Sequence, residues 1–258
     1  MTLLLDYIII GIIQGVFEWL PVSSKTIILL YGLLVSRLSL LESYLLGLFI
    51  QAGCVISAIL YYRNILLSRD LFVYRFVTIA TVSTIATGIP LYLFLLGYLE
   101  RSINSGVVTI VTGFILFVLG LIHRSALMRN TTKRDAQLSD AIYMGLAQGL
   151  AIAPGVSRSG VTVLVLLSLG LSVEDSFKYS FISSIPVNVG AMILVSLTQR
   201  GYLSNHIDTP GLLAALIISA LVGYITIDVL TRTARRHGWR TTLMIAVVTI
   251  TIGLLTLG

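Results

Sequence analysis

The chain has 258 residues, 57% of them hydrophobic and only 11% charged, with a formal net charge of +6. Soluble domains carry about 25% charged residues, so this composition excludes one and predicts an all-α integral membrane protein, a single polytopic domain over 1–258. The positive charge does not signal a nucleic-acid partner, because the basic residues fall between apolar runs, as positive-inside orientation requires.

Cys54 is the sole cysteine, which excludes an intramolecular disulfide and a cysteine metal site. The N-terminus has no basic leader or small-residue cleavage site, and Asp6 interrupts it early, so it reads as mature protein. In chain order, apolar segments fall near 3–17, 19–36, 43–62, 72–98, 104–122, 138–152, 157–170, 176–198, 211–230 and 241–257. Those that approach 20 residues are long enough to span a bilayer. The pairs 3–17/19–36 and 138–152/157–170 are short and interrupted by Pro, Gly or Ser, which predicts two re-entrant helical hairpins beside about six full transmembrane helices.

Eleven of the seventeen Lys and Arg residues lie in three stretches: Arg63, Arg69 and Arg75; Arg124, Arg129, Lys133 and Arg134; Arg232, Arg235, Arg236 and Arg240. All three are expected to be cytoplasmic loops. Two spans separate the first pair of loops. Two more precede the third, so the broken pair 138–170 must enter and leave on one side.

The sequence repeats internally. "GIIQGVFEWLPVSSKT" (11–26) and "GLAQGLAIAPGVSRSG" (145–160) share Gly-x-x-Gln-Gly, an apolar stretch, Pro, and a basic cluster with serine. Three long spans follow each broken pair. An odd number of crossings per half predicts an inverted-topology repeat, copy one about 1–123 and copy two about 138–258. The hairpins are then expected to meet near the midplane from opposite faces.

Irregular backbone at membrane depth requires burial in protein or a wet cavity. The freed N–H groups opening the half-helices after Pro21 and Pro154 form an anion site. Ser157, Arg158, Ser159 and Gly160 stand there, and guanidinium beside hydroxyl donors suits phosphate. The structural reading of Arg158 is an ion pair with Glu18. An ionisable residue inside a membrane nevertheless points first to function.

Glu18 is the acid best placed for chemistry. It lies one helical turn after Gln14, so the two share a face. The pair suits a divalent cation; alternatively Glu18 is a general base, or is neutralised by Lys25 or Arg158. One of Ser23 and Ser24 is expected to cap the second half-helix. Ser24 as nucleophile needs a base within hydrogen-bond reach. Lys25 either meets phosphate, as Ser23 would, or balances Glu18. Gln148, the counterpart of Gln14, reads equally as packing or hydrogen-bond glue. His123, His206 and His237 are expected at loop ends, and Tyr61, Tyr62, Tyr74, Tyr98, Tyr202 and Trp239 in an interfacial belt.

The segments "QGVFEWLPVSS" (14–24), "FIQAGCVISAILYYR" (49–63), "GLAQGLAIAPGVSRSGVT" (145–162) and "YSFISSIPVNVGA" (179–191) resemble the undecaprenyl pyrophosphate phosphatase family of the bacitracin-resistance type. The resemblance implies hydrolysis of a polyprenyl pyrophosphate to the monophosphate, an inverted-repeat membrane fold, an active site opening outward, and a divalent cation, Mg²⁺ or Ca²⁺. It implies Glu18 as the retained acid, Ser24 as the nucleophilic or phosphate-contacting serine, and Arg158 as the phosphate-binding arginine. Gln14 falls on the first position of the family's (Glu/Gln)-x-x-x-Glu pair. The expected partners are the lipid substrate, membrane lipids and a second copy of the chain in a homodimer. The departure is "SSKTI" where the family commonly has "SSSGH" or "SSTGH": Ile27 stands at the histidine position. Archaeal relatives diverge there too. The competing function is a transporter or flippase for a lipid phosphate, since inverted repeats with broken helices are also a transporter architecture.

Overall fold

The structure is a computed structural model that describes residues 4–99, 105–129, 134–201 and 208–255. Within them the chain is helical throughout, with one isolated bridge between Arg134 and Leu171. The helices are α1 (Leu4–Phe17), α2 (Ser24–Leu34), α3 (Leu40–Ile50), α4 (Gly53–Tyr61), α5 (Arg63–Leu67), α6 (Leu71–Leu99), α7 (Ser105–Arg129), α8 (Leu138–Leu150), α9 (Arg158–Ser168), α10 (Val173–Thr198) and α11 (Thr209–Leu255). Four helical stretches are long and apolar enough to cross a membrane: Leu40–Tyr61, Leu71–Gly97, Val173–Thr198 and Thr209–Val229. Large side chains such as Phe94, Leu197 and Ile225 are exposed on their outer faces. In water such surface invites association; against lipid it is the expected contact.

Both short apolar pairs are interrupted helices, α1 with α2 and α8 with α9. α1 ends at Phe17, whose carbonyl would need the N–H of residue 21 to continue the helix, and Pro21 has none. Ser23 then caps α2, its Oγ accepting from Thr26 N at 3.3 Å. In the second copy Ser157 caps α9 in the same way, accepting from Gly160 N at 3.1 Å. Gly155, between α8 and α9, has φ +89°, a left-handed conformation that suits glycine. Its N–H donates to Thr26 Oγ1 at 3.1 Å, which ties one break to the other.

The glycines of Gly-x-x-Gln-Gly bring helices into backbone contact. A Cβ on Gly11 would lie 2.7 Å from Ala215 O on α11, and one on Gly145 would lie 2.4 Å from Ala80 O on α6. α1 therefore packs closely on α11, and α8 on α6, by the small-residue contact common between membrane helices. A buried apolar cluster that includes Trp19, Phe76, Phe177 and Phe181 fills the space beside the breaks. Trp19 meets Phe181 edge-on at 5.2 Å, and its indole N–H donates to Gly223 O at 3.0 Å. These contacts fix the segment that follows Glu18. At the start of α8, Arg134 grips the buried Asp140 carboxylate with two bonds of 2.9 and 2.7 Å, and Asp140 also accepts from Gln137 N.

The sequence expectations for the loops are corrected. The stretch 232–240 is not a loop between spans 211–230 and 241–257, because α11 runs unbroken through it for 47 residues. At about 1.5 Å per residue it far exceeds the roughly 30 Å hydrocarbon core. The charges mark where the apolar span ends, but arginine favours helix and no proline interrupts the run. The span 43–62 stands as Leu40–Tyr61, with a break inside it between Ile50 and Gly53, at Gln51 and Ala52. His206, Tyr202 and Lys133 lie outside the described residues, while His123 and His237 fall within α7 and α11 rather than in loops.

Candidate functional site

The two breaks bring Glu18, Ser24 and Arg158 together as expected. Glu18 follows α1, Ser24 opens α2 and Arg158 opens α9. Arg158 Nη2 donates to Glu18 Oε1 at 2.5 Å, and the residues are only 7% and 5% exposed. Gln14 Nε2 donates to Glu18 Oε2 at 2.7 Å, so the shared helix face is realised. Ser24 Oγ donates to the same oxygen at 3.4 Å, a long bond of the kind that tightens when substrate binds. Asn188 Nδ2 completes the set, donating to Oε1 at 3.1 Å. A carboxylate offers about four acceptor positions, and Glu18 meets four donors. Such saturation is what keeps a buried charge tolerable.

Arg158 is less completely served. Nη1 reaches Ser180 O at 3.4 Å, its guanidinium lies 5.8 Å from the Phe181 ring centroid, and Nε is buried with no partner. An orphaned charged donor is costly, and a phosphate oxygen is the group that would satisfy it. The other predicted phosphate contacts gather around it. Ser23, Ser24, Lys25, Ser157 and Ser159 join Glu18 and Arg158 in lining a cavity of about 10 Å³, the size of one water. Ser23 and Ser157 also spend their oxygens on capping. Ser159 Oγ donates to Leu20 O at 2.6 Å, and Gly160 sits close under Pro21 O. Lys25 is buried and makes no ion pair with Glu18 among the described residues. The structural reading of Arg158, a pair with Glu18, is thus realised, and its unpartnered Nε is left facing the pocket lining.

Asn188 and Gln51 were not singled out in the sequence. Asn188 Nδ2 also lies 3.4 Å from Gln51 O, so the break after α3 and the middle of α10 both face the site. The available signal was a polar side chain two residues after Pro186 inside an apolar helix.

The donor set bears on the divalent cation. No cluster of three His, Cys, Asp or Glu occurs among the described residues. Gln14 Oε1, however, is a buried acceptor without a partner beside the carboxylate. That amide oxygen, with a Glu18 oxygen released as Arg158 turns to phosphate, would fit a hard cation whose other ligands are phosphate oxygens.

Fold and site together define an all-helical membrane protein whose buried guanidinium, carboxylate and serine form a candidate phosphate centre. Residues 7–255 match the family model described as bacitracin resistance protein BacA, and the chain belongs to that family. It is similar to proteins named undecaprenyl-diphosphatase. The one from Sulfurisphaera tokodaii is 39% identical over 91% of this chain and 90% of the relative. The one from Haloarcula marismortui is 38% identical over 92% of each chain. That from Saccharolobus islandicus strain M.16.4 is 34% identical over 90% of each.

Proposed function

We propose that this chain hydrolyses an undecaprenyl-type polyprenyl diphosphate to the monophosphate and inorganic phosphate, returning a lipid carrier to envelope glycan synthesis. The observation that carries the reading is the meeting of Glu18, Ser24 and Arg158 in one buried cluster. The names of the relatives point to the same reaction.

The terminal phosphate takes the guanidinium of Arg158, with Nε as a ready donor. Drawing Arg158 onto phosphate loosens its pair with Glu18 and leaves that carboxylate free to accept a proton. Glu18 then accepts the Ser24 proton as Oγ attacks the terminal phosphorus. The bridging P–O bond breaks, and its electrons leave with the lipid monophosphate. Water next cleaves the phosphoserine and releases phosphate. Phosphoryl transfer depends mainly on positioning and charge stabilisation, so a dry, positively lined pocket suits it. A second reading, attack by water with Glu18 as base, is favoured by the single-water cavity at this point. Ile27, where the family histidine commonly stands, packs against the Trp19 cluster and supplies no proton acceptor. Glu18 carries that role in either reading. Glu18 and Gln14 Oε1 would hold a divalent cation, Mg²⁺ or Ca²⁺, which when bound neutralises phosphate charge.

The arrangement we favour in the membrane has the two broken pairs as re-entrant hairpins of an inverted repeat. The basic stretches lie at the cytoplasmic face and the site opens outward, within bulk membrane lipid. Purified protein given polyprenyl diphosphate with Mg²⁺ or Ca²⁺ is expected to release phosphate and leave monophosphate. Transport across vesicles without phosphate release would sink the reading in favour of a flippase. Mass-spectrometric trapping of phosphorylated Ser24 separates serine attack from water attack.

A further inference from the structure

Three cavities adjoin one another. The catalytic pocket shares Lys25 and Gln51 with a vestibule of about 50 Å³. The vestibule shares Thr84, Gly88, Ile152, Val187 and Ala191 with a groove of about 280 Å³ between α6 and α10. The lining changes along this line from charged groups, through the amides of Gln51, Gln148 and Asn188, to the apolar Ile85, Ile89, Ile193 and Leu197. A polyprenyl diphosphate has the same order of chemistry from its terminal phosphate to its tail.

Gln148 gives the vestibule a ligand signature. It is 2% exposed, yet neither its Nε2 nor its Oε1 has a hydrogen-bond partner. Buried amides are almost always satisfied, so an orphan calls for an explanation. Its counterpart Gln14 gives its amide to Glu18. In the second copy the residue four positions on is Ile152, so the same side chain is left with open donors facing the vestibule. Lys25, from the other copy, lines the same space and makes no ion pair among the described residues.

We propose that Gln148 and Lys25 hold the lipid-bearing phosphate in this vestibule, and that the α6–α10 groove takes the first isoprene units. The proposal rests on the hydrolytic reading above and assigns its substrate a direction: terminal phosphate at Arg158, ester phosphate at Gln148, tail along α6 and α10. The occupant is the substrate's own tail rather than bulk lipid, because the groove shares five lining residues with the vestibule, which in turn shares Lys25 and Gln51 with the site that would hold its head. Gly190 lines the groove, and a Cβ there meets nothing within 4 Å, so a side chain placed at this position starts in open space.

The test uses full-length protein and a prenyl diphosphate carrying a benzophenone within its isoprenoid portion. Cross-linking is expected on peptides around Ile85–Ile89 and Gly190–Leu197, suppressed by unlabelled undecaprenyl phosphate. Labelling elsewhere, or labelling that the competitor leaves unchanged, overturns the groove assignment. Labelling at these peptides by a protein that releases no phosphate supports the track and overturns the hydrolytic reading instead. Gly190→Trp is expected to raise KM for undecaprenyl diphosphate about tenfold and that for methyl diphosphate, which has no isoprene unit to place in the groove, much less; equal effects on both overturn the groove. Gln148→Leu is expected to raise KM for both substrates about tenfold, the loss of roughly one charge-assisted hydrogen bond. Unchanged KM for both overturns the vestibule assignment.

Discussion

The two copies of Gly-x-x-Gln-Gly are built alike and employed differently. In each, glycines seat the first helix against a long neighbour, and a serine caps the second helix. Two of their differences bear on the site. Glu18 and Ser24 in the first copy stand where Ile152 and Arg158 stand in the second. The first break therefore brings the acid, with Ser24 and Lys25 beside it, and the second the guanidinium, with Ser157 and Ser159 beside it. Two segments that read alike in sequence thus contribute different charge to one pocket.

Removing the cation is expected to break this division most severely. Arg158→Ala leaves Glu18 buried without its charged partner, and loss of one partner of a buried pair costs about 3–5 kcal/mol. Phosphate release is expected to fall at least 1000-fold, read in a coupled phosphate assay, with a lower Tm by scanning fluorimetry. Glu18→Gln keeps the shape and removes the base. Its kcat is expected to fall by about 10²–10⁴, with KM little changed. Ile152→Glu makes the second copy imitate the first, giving Gln148 a carboxylate and placing negative charge where an ester phosphate would sit. KM is expected to rise more than tenfold while kcat changes less, and a rise in activity would show that the asymmetry is not functional. Thr26→Val cuts the tie to Gly155 N. A lost hydrogen bond of this kind costs about 1–3 kcal/mol, so a modestly lower Tm with kcat within a few-fold of wild type is expected.

The candidate site was legible in the sequence where polarity interrupts an apolar run. Glu18, Ser24 and Arg158 stand at breaks flanked by proline, and the repeat sets Ser24 and Arg158 at equivalent positions. Asn188 and Gln51 escaped because each sits in a segment whose hydropathy reads as a plain span. What makes them part of the site is the helix break at Gln51 and the approach of α10, both products of tertiary packing. The basic stretch at 232–240 misled for a related reason. Charge reports depth in the membrane, whereas helix continuity depends on local propensity, and the two need not change at the same residue.

The contact between Arg158 and Glu18 joins residues 140 positions apart, and the Gly155–Thr26 and Ser159–Leu20 bonds span nearly as far. During synthesis the first broken pair therefore emerges long before its partner exists. Until α8 and α9 arrive, Glu18 has no guanidinium beside it, and the pocket closes only when the second broken pair docks on the first. The site is thus the last part of the fold to be assembled, and a chain truncated before Arg158 would carry its acid with no cation to meet it.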